Sequence, residues 1–270
     1  MSVEAKWVRY GEFSGYLAQP AGVERGLPGA VVIQEIWGVD EHIEDVARRL
    51  AMAGYAALAP ELFARDGRLP EALARDRVAE AKGFLGRNPL AFRDPAARAE
   101  ALGRLPGEER DRLEGTLGGL LGSLGRMDGF LPALRAAVRH LREEHAASRG
   151  QKTACLGFCM GGGLTGLLAC EEPDLAGAAI FYGSAPPADR IPKIGCPVIG
   201  FYGGLDERIN AGIPAFQEAM RMAGKSFEPH LYEGANHAFF NDTRPAYDVG
   251  ASRDAWARLL AFLGRTTVPS

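Results

Sequence analysis

With 270 residues, 47% of them hydrophobic, and with 35 glycines and 17 prolines, the chain suits one α/β domain with a large core and many turns. A formal net charge of −3 gives no basis for binding nucleic acid or an anionic membrane, and no run approaches the ~20 apolar residues of a membrane span. The opening Met1-Ser2-Val3-Glu4-Ala5-Lys6-Trp7 has no apolar run of the signal-peptide kind, so a cytoplasmic location is the default expectation.

Residues 6–19 read as an edge hairpin, with Trp7 to Tyr10 and Phe13 to Ala18 flanking a turn at Gly11. Gly29 to Ile36 is nearly continuously apolar, as a strand buried on both faces should be. Asp40 is placed to cap the next helix, whose apolar face is Ile43, Val46 and Leu50 and which Gly54 closes. Tyr55 to Pro60 is the following strand. Residues 65–127 break the pattern. They hold helical patches, such as one starting at Asp94-Pro95, with many arginines and glycines and no strand signal. This segment is expected to be a helical excursion rather than a separate domain. A cap over a site, a surface insertion and an oligomer contact are equal readings of it.

A helix from about Asp128 to Glu144 is expected to bury Leu131, Leu134, Val138 and Leu141. Then come a strand into the glycine-rich turn near Cys159, the helix after it, and strands over Ala176–Tyr182 and Pro197–Tyr202. A helix near Ile213–Ala223, a strand over Phe227–Tyr232 and a last helix with Trp256, Leu259, Leu260 and Phe262 complete the chain. Strands alternating with helices predict an α/β, doubly wound, mostly parallel sheet.

Gly157-Phe158-Cys159-Met160-Gly161 is G-x-S-x-G with sulfur in place of the serine oxygen. In α/β-hydrolases that pattern forms the nucleophile elbow, a sharp strand-to-helix turn whose glycines let strand and helix approach. A cysteine there sits at a helix N-terminus, where partial positive charge favours thiolate. Alone, the pattern fits a small buried structural cysteine equally well. It lacks the Lys-Ser/Thr end of a phosphate loop. Downstream, an apolar strand ends in Gly203-Gly204 with Asp206 just beyond, and another ends before Gly234 with His237 beyond. The order nucleophile, acid, histidine is that of an α/β-hydrolase triad, and about one αβ unit separates successive members. All three can therefore meet at the carboxyl ends of the strands. His237 is the candidate base, and Asp206 would hold its tautomer. Singly, Asp206 reads as well as a turn residue, and His237 as a backbone-bonded loop histidine.

Cys155, Cys170 and Cys196 read as core fillers or a helix end, and the four cysteines fit no zinc spacing. His42, His140, His145 and His230 read as surface residues without a role. No metal or cofactor is expected.

Five segments carry a family resemblance over essentially the full length. They are Gln34-Glu35-Ile36-Trp37-Gly38, Ala59-Pro60-Glu61-Leu62-Phe63, Gly157 to Gly162, Tyr202 to Asp206, and Gly234 to Phe240. The chain resembles dienelactone hydrolase (carboxymethylenebutenolidase) and its relatives, within the α/β-hydrolase superfamily. The resemblance implies a single α/β-hydrolase domain over residues 1–270. It implies a lactone or activated-ester hydrolase with a Cys159–His237–Asp206 triad and a thioester intermediate. It gives Glu35 the role of a carboxylate that contacts the resting thiol, where the alternative is a buried strand-end carboxylate with a local partner. Ile36 and Met160 would supply oxyanion-hole N–H groups. Trp37 would line the pocket, a core role being its alternative. Tyr182, Phe239 and Asn241 are further substrate-binding candidates. The family's serine after the histidine and its arginine three residues later are Ala238 and Asn241 here; Arg244 or Arg65 could stand in for the arginine. The implied partner is a small ester or lactone, with the protein a monomer or homodimer. The alternative function is a ligand-binding protein or thiol-redox sensor on a hydrolase scaffold.

Overall fold

A computed structural model describes residues 2–268. They divide into two compact units: one runs to Leu62 and resumes at Asp128, and the other spans Phe63–Met127.

The first unit begins with a hairpin, β1 (Val3–Tyr10) and β2 (Phe13–Pro20), then β3 (Gly29–Ile33), helix α1 (Glu41–Met52) and β4 (Ala56–Pro60). The eight-stranded sheet has the order β1-β2-β4-β3-β5-β6-β7-β8, in which β5 (Thr153–Phe158), β6 (Ala178–Phe181), β7 (Val198–Gly203) and β8 (Phe227–Tyr232) follow. Among the described residues, β1–β2 and β2–β4 pair antiparallel, and every pairing from β4 across to β8 is parallel. The chain crosses from β4 back over β3 to reach β5. That reversal is the topological switch at which open α/β sheets place their ligands.

Local chemistry explains the elements. The Asp40 side chain accepts from Ile43 N at 3.2 Å, capping α1. Ile43, Val46 and Leu50 are wholly buried, each contributing roughly 1.5–3 kcal/mol of transfer free energy. His42 is also on the buried side, at 2% exposure, packed against the rings of Phe158 and Phe240. The expectation of a surface histidine is thus corrected: His42 precedes Ile43 and turns inward with it. An aromatic stack through Phe158, Phe181 and Phe201, with centroids 4.7 and 4.6 Å apart, ties the central strands together.

Two expected elements are shorter than their apolar runs. β3 stops at Ile33, because Gln34 to Gly38 leave the sheet. The helix expected from Asp128 to Glu144 is α-helical only in α5 (Leu131–Arg139), which Pro132 opens, and its last turn, His140–Glu144, is π-helical.

The second unit holds α2 (Arg75–Arg87), α3 (Pro95–Gly103) and α4 (Gly107–Ser123). Asp94 caps α3 through the N–H groups of Ala96 and Ala97. Thr116 donates to the carbonyl of Ala72 at 2.7 Å, fixing α4 on the turn before α2. In the first unit, α6 (Met160–Glu171) follows β5, α7 (Glu207–Asn210) and α8 (Ile213–Met222) follow β7, and α9 (Val249–Thr267) ends the chain. Among the described residues no helix is long and apolar enough to cross a membrane.

Candidate active site

Between β5 and α6 a single residue, Cys159, makes the whole reversal, with φ +54° and ψ −111°. That conformation is costly for an L-residue and persists only where its surroundings enforce it. The Cys159 N–H donates to the Phe181 carbonyl at 3.0 Å, and its own carbonyl accepts from Gly163 N at 3.2 Å. The flanking glycines are steric requirements. A Cβ on Gly157 would lie 2.1 Å from the Gly161 carbonyl oxygen, and one on Gly161 would lie 2.3 Å from that of Ile33. The half-buried thiol therefore stands at the start of α6, on the positive end of its dipole.

The loops after β7 and β8 are stitched together. Gly204 N donates to Tyr232 O at 2.7 Å, and Leu205 N to Ala235 O at 3.0 Å. Asn210 Nδ2 closes the first loop on the carbonyls of Gly203 and Gly204. This stitching brings Asp206 Oδ2 into a hydrogen bond with His237 Nδ1. The Asp206 side chain is 1% exposed and that of His237 is 23% exposed. Cys159 acts on the same ring, and with Nδ1 taken by Asp206, Nε2 is the nitrogen open to the thiol. Burial works to lower the basicity of His237. The hydrogen bond to Asp206 and the neighbouring Cys159, with their negative charges, outweigh it and push the ring up to about 10. The His237 ring thus lies between the Asp206 carboxylate, to which it is hydrogen-bonded, and the influence of Cys159.

The loop after β3 carries Glu35, Ile36 and Trp37. It is pinned at both ends: Leu62 N donates to Gln34 Oε1 at 3.0 Å, and Val39 N to Glu61 Oε2 at 3.2 Å, both buried. Glu35 is 2% exposed. Its Oε1 accepts from the Tyr182 hydroxyl at 3.2 Å, and its Oε2 from Asn241 Nδ2 at 2.8 Å. Tyr182 is fully buried, with its ring centroid 5.1 Å from that of His237. Burial, then the charges of Glu35 and Cys159, hold its phenol protonated far above the usual range. Phe239 is wholly buried against Tyr182 and Tyr232. Ile36 is buried in the loop, and Met160 opens α6 directly after the thiol. Trp37 is nearly buried, with the Arg244 guanidinium 5.2 Å over its ring. Arg65 lies in the second unit, bridged to Arg68. The links of Glu35 to Tyr182 and Asn241, and the pins at Gln34 and Glu61, escape sequence reasoning. Both pins lie inside motifs whose chemistry alone suggests no role.

Comparison with known proteins bears on the family and fold of the chain. The model of the dienelactone hydrolase family matches residues 13–267. A protein of Saccharolobus solfataricus assigned as a carboxymethylenebutenolidase is 36% identical over 255 residues, covering 93% of each chain. A solved structure from Klebsiella pneumoniae, assigned as a dienelactone hydrolase, superposes with a TM-score of 0.67 at 27% identity, covering 98% of this chain and 100% of that one. Fungal esterases from Rhizomucor miehei share the fold, with a TM-score of 0.61 at 11% identity over 98% of this chain and 83% of theirs. With its sheet order, its elbow and a family match from the second strand to the last helix, the chain belongs to the dienelactone hydrolase family and is a carboxymethylenebutenolidase-like hydrolase of the α/β-hydrolase fold.

Proposed function

We propose that this hydrolase cleaves lactones or activated carboxylic esters through a thioester on Cys159. The observation that carries the reading is the His237–Asp206 hydrogen bond, on a ring that also feels Cys159, with Cys159 itself set on a strained elbow. The thiol proton passes to His237 Nε2, and the thiolate attacks the carbonyl carbon. The oxyanion is held by the backbone N–H groups of Ile36 and Met160. The tetrahedral intermediate collapses, the C–O bond breaks, and the imidazolium returns the proton to the leaving oxygen. Water, deprotonated by His237, then releases the acid and restores the thiol. Asp206 keeps the ring in the tautomer with its proton on Nδ1 and stabilises the imidazolium. Asp206 and the Cys159 charge both favour the protonated ring, which is the form that the thiol-to-imidazole transfer produces.

Glu35 is the resting-state partner of this machinery. A carboxylate beside the thiol disfavours a second negative charge until substrate arrives. Trp37 belongs to the wall of the substrate pocket. The test is turnover of p-nitrophenyl acetate and of a dienelactone by the wild-type enzyme and by Cys159→Ala. The variant should lose activity by at least about 10³-fold, in line with loss of a nucleophile. Equal rates would sink the proposal.

A further inference from the structure

We propose that Tyr182 and Asn241 are positioning residues that hold the Glu35 carboxylate in one orientation beside the Cys159–His237 pair. The inference rests on the reading of Glu35 given above. Each carboxylate oxygen has its own donor, Tyr182 Oη on Oε1 at 3.2 Å and Asn241 Nδ2 on Oε2 at 2.8 Å, and all three side chains are buried. Both donors are neutral, so they orient the charge without cancelling it.

Each donor is itself fixed. The Asn241 side-chain oxygen accepts from Thr243 N at 3.0 Å and from Thr243 Oγ1 at 2.7 Å. Those bonds decide which end of the amide faces Glu35. Tyr182 leaves β6 at φ +39°, a conformation that a non-glycine residue rarely adopts. It is held there by its N–H on the Phe201 carbonyl at 2.8 Å and by the rings of His237 and Phe239. Backbone strain of this kind is retained where the surroundings over-determine it, and such places cluster at active sites. Tyr182 also feels the charges of Glu35, Cys159 and, more weakly, Asp40, so it stands close to both the carboxylate and the thiol. The remaining ionisable groups around the network are His237 with Asp206, Asp242 with His42 beside Asn241, Glu61 at the loop base and Arg244 on Trp37.

A hydrogen bond to a carboxylate favours its charged form. Removing either donor leaves a buried carboxylate oxygen unsatisfied and frees Glu35 to turn away from the thiol. A carboxylate no longer held beside Cys159 opposes the thiolate less, so Cys159 should become reactive at lower pH.

The test is the pH dependence of Cys159 alkylation by iodoacetamide, read by mass spectrometry on the Cys159 peptide. It compares wild type, Tyr182→Phe, Asn241→Leu and Glu35→Gln, and each donor variant combined with Glu35→Gln. Each donor variant should lower the alkylation midpoint in the same direction as Glu35→Gln and by no more than that variant does. Neither should shift it further when Glu35 is already Gln, because both act through that carboxylate. Equal shifts in the two backgrounds, or no shift in a donor variant that circular dichroism shows to be folded, overturns the proposal. Should one donor variant fail to fold, the other carries the test. Alkylation needs no turnover, so its outcome is separate from the ester assay. An unshifted Glu35→Gln overturns the Glu35 reading itself, whereas a shifted Glu35→Gln with unshifted donor variants overturns only their positioning role.

Discussion

At Gly157 a single added methyl group would have to share space with the Gly161 carbonyl, 2.1 Å away. Gly157→Ala is therefore expected to cost roughly 3 kcal/mol or more in urea unfolding, because the obstacle is backbone and cannot swing aside. The pair His237–Asp206 carries a pH signature. The folded-state pKa of His237 is raised from the ordinary 6.5 to about 10, so its contribution to stability is complete below about 6.5. That contribution fades as pH rises through about 10. Asp206→Asn should accordingly destabilise the protein more at pH 6 than at pH 10.5. Denaturant titrations showing an equal loss at both would contradict the cause assigned to the shift. The placement of Cys159, Asp206 and His237 at successive strand ends was legible in the sequence because each stands just past an apolar strand, and the structure joins Asp206 to His237. The partners of Glu35 were not. They lie 147 and 206 residues away in the chain, and no local pattern reports such a contact. Asn241 was expected at the substrate; the fold directs its amide to Glu35.

At the level of elements, caps and strands were legible wherever one short-range rule sufficed. The Asp40 cap on α1 is such a case, and Asp40→Ala should cost about 1 kcal/mol in thermal or urea unfolding. The end of β3 was not legible. Apolarity reports burial, and Ile36 is buried outside the sheet as deeply as the residues within it. The same confusion of burial with element type hid the π-helical turn after α5, whose residues keep a helical apolar spacing. What holds the loop after β3 is a pair of hydrogen bonds to the end of β4, from Leu62 N to the loop's own Gln34 side chain and from the loop's Val39 N to the Glu61 side chain. Glu61→Ala would leave the buried Val39 N–H unpaired, at a cost of about 1–3 kcal/mol. It should also lower kcat more than it raises KM, since the loop supplies a proposed oxyanion donor rather than ground-state binding. A change confined to KM would contradict that role.

Across the whole chain, alternating strands and helices were enough to indicate a parallel sheet, while the strand order was not written in any local signal. The order matters because the reversal between β3 and β5 sets the Glu35 loop beside the Cys159 elbow, with β6, β7 and the turn after β8 following in sequence. The site is thus assembled from five strand ends, one polar group from each of the first four and two, His237 and Asn241, from the turn after β8. The central claim is that Cys159 becomes covalently acylated during turnover. Its most direct test is mass spectrometry of the enzyme quenched during turnover of p-nitrophenyl acetate, with peptide mapping of the product. The account predicts an acetyl group on Cys159, accumulating in His237→Ala at a rate well below that of the wild type and absent in Cys159→Ala. Turnover with an unmodified Cys159, or an acetyl group on another residue that accounts for the activity, would contradict it.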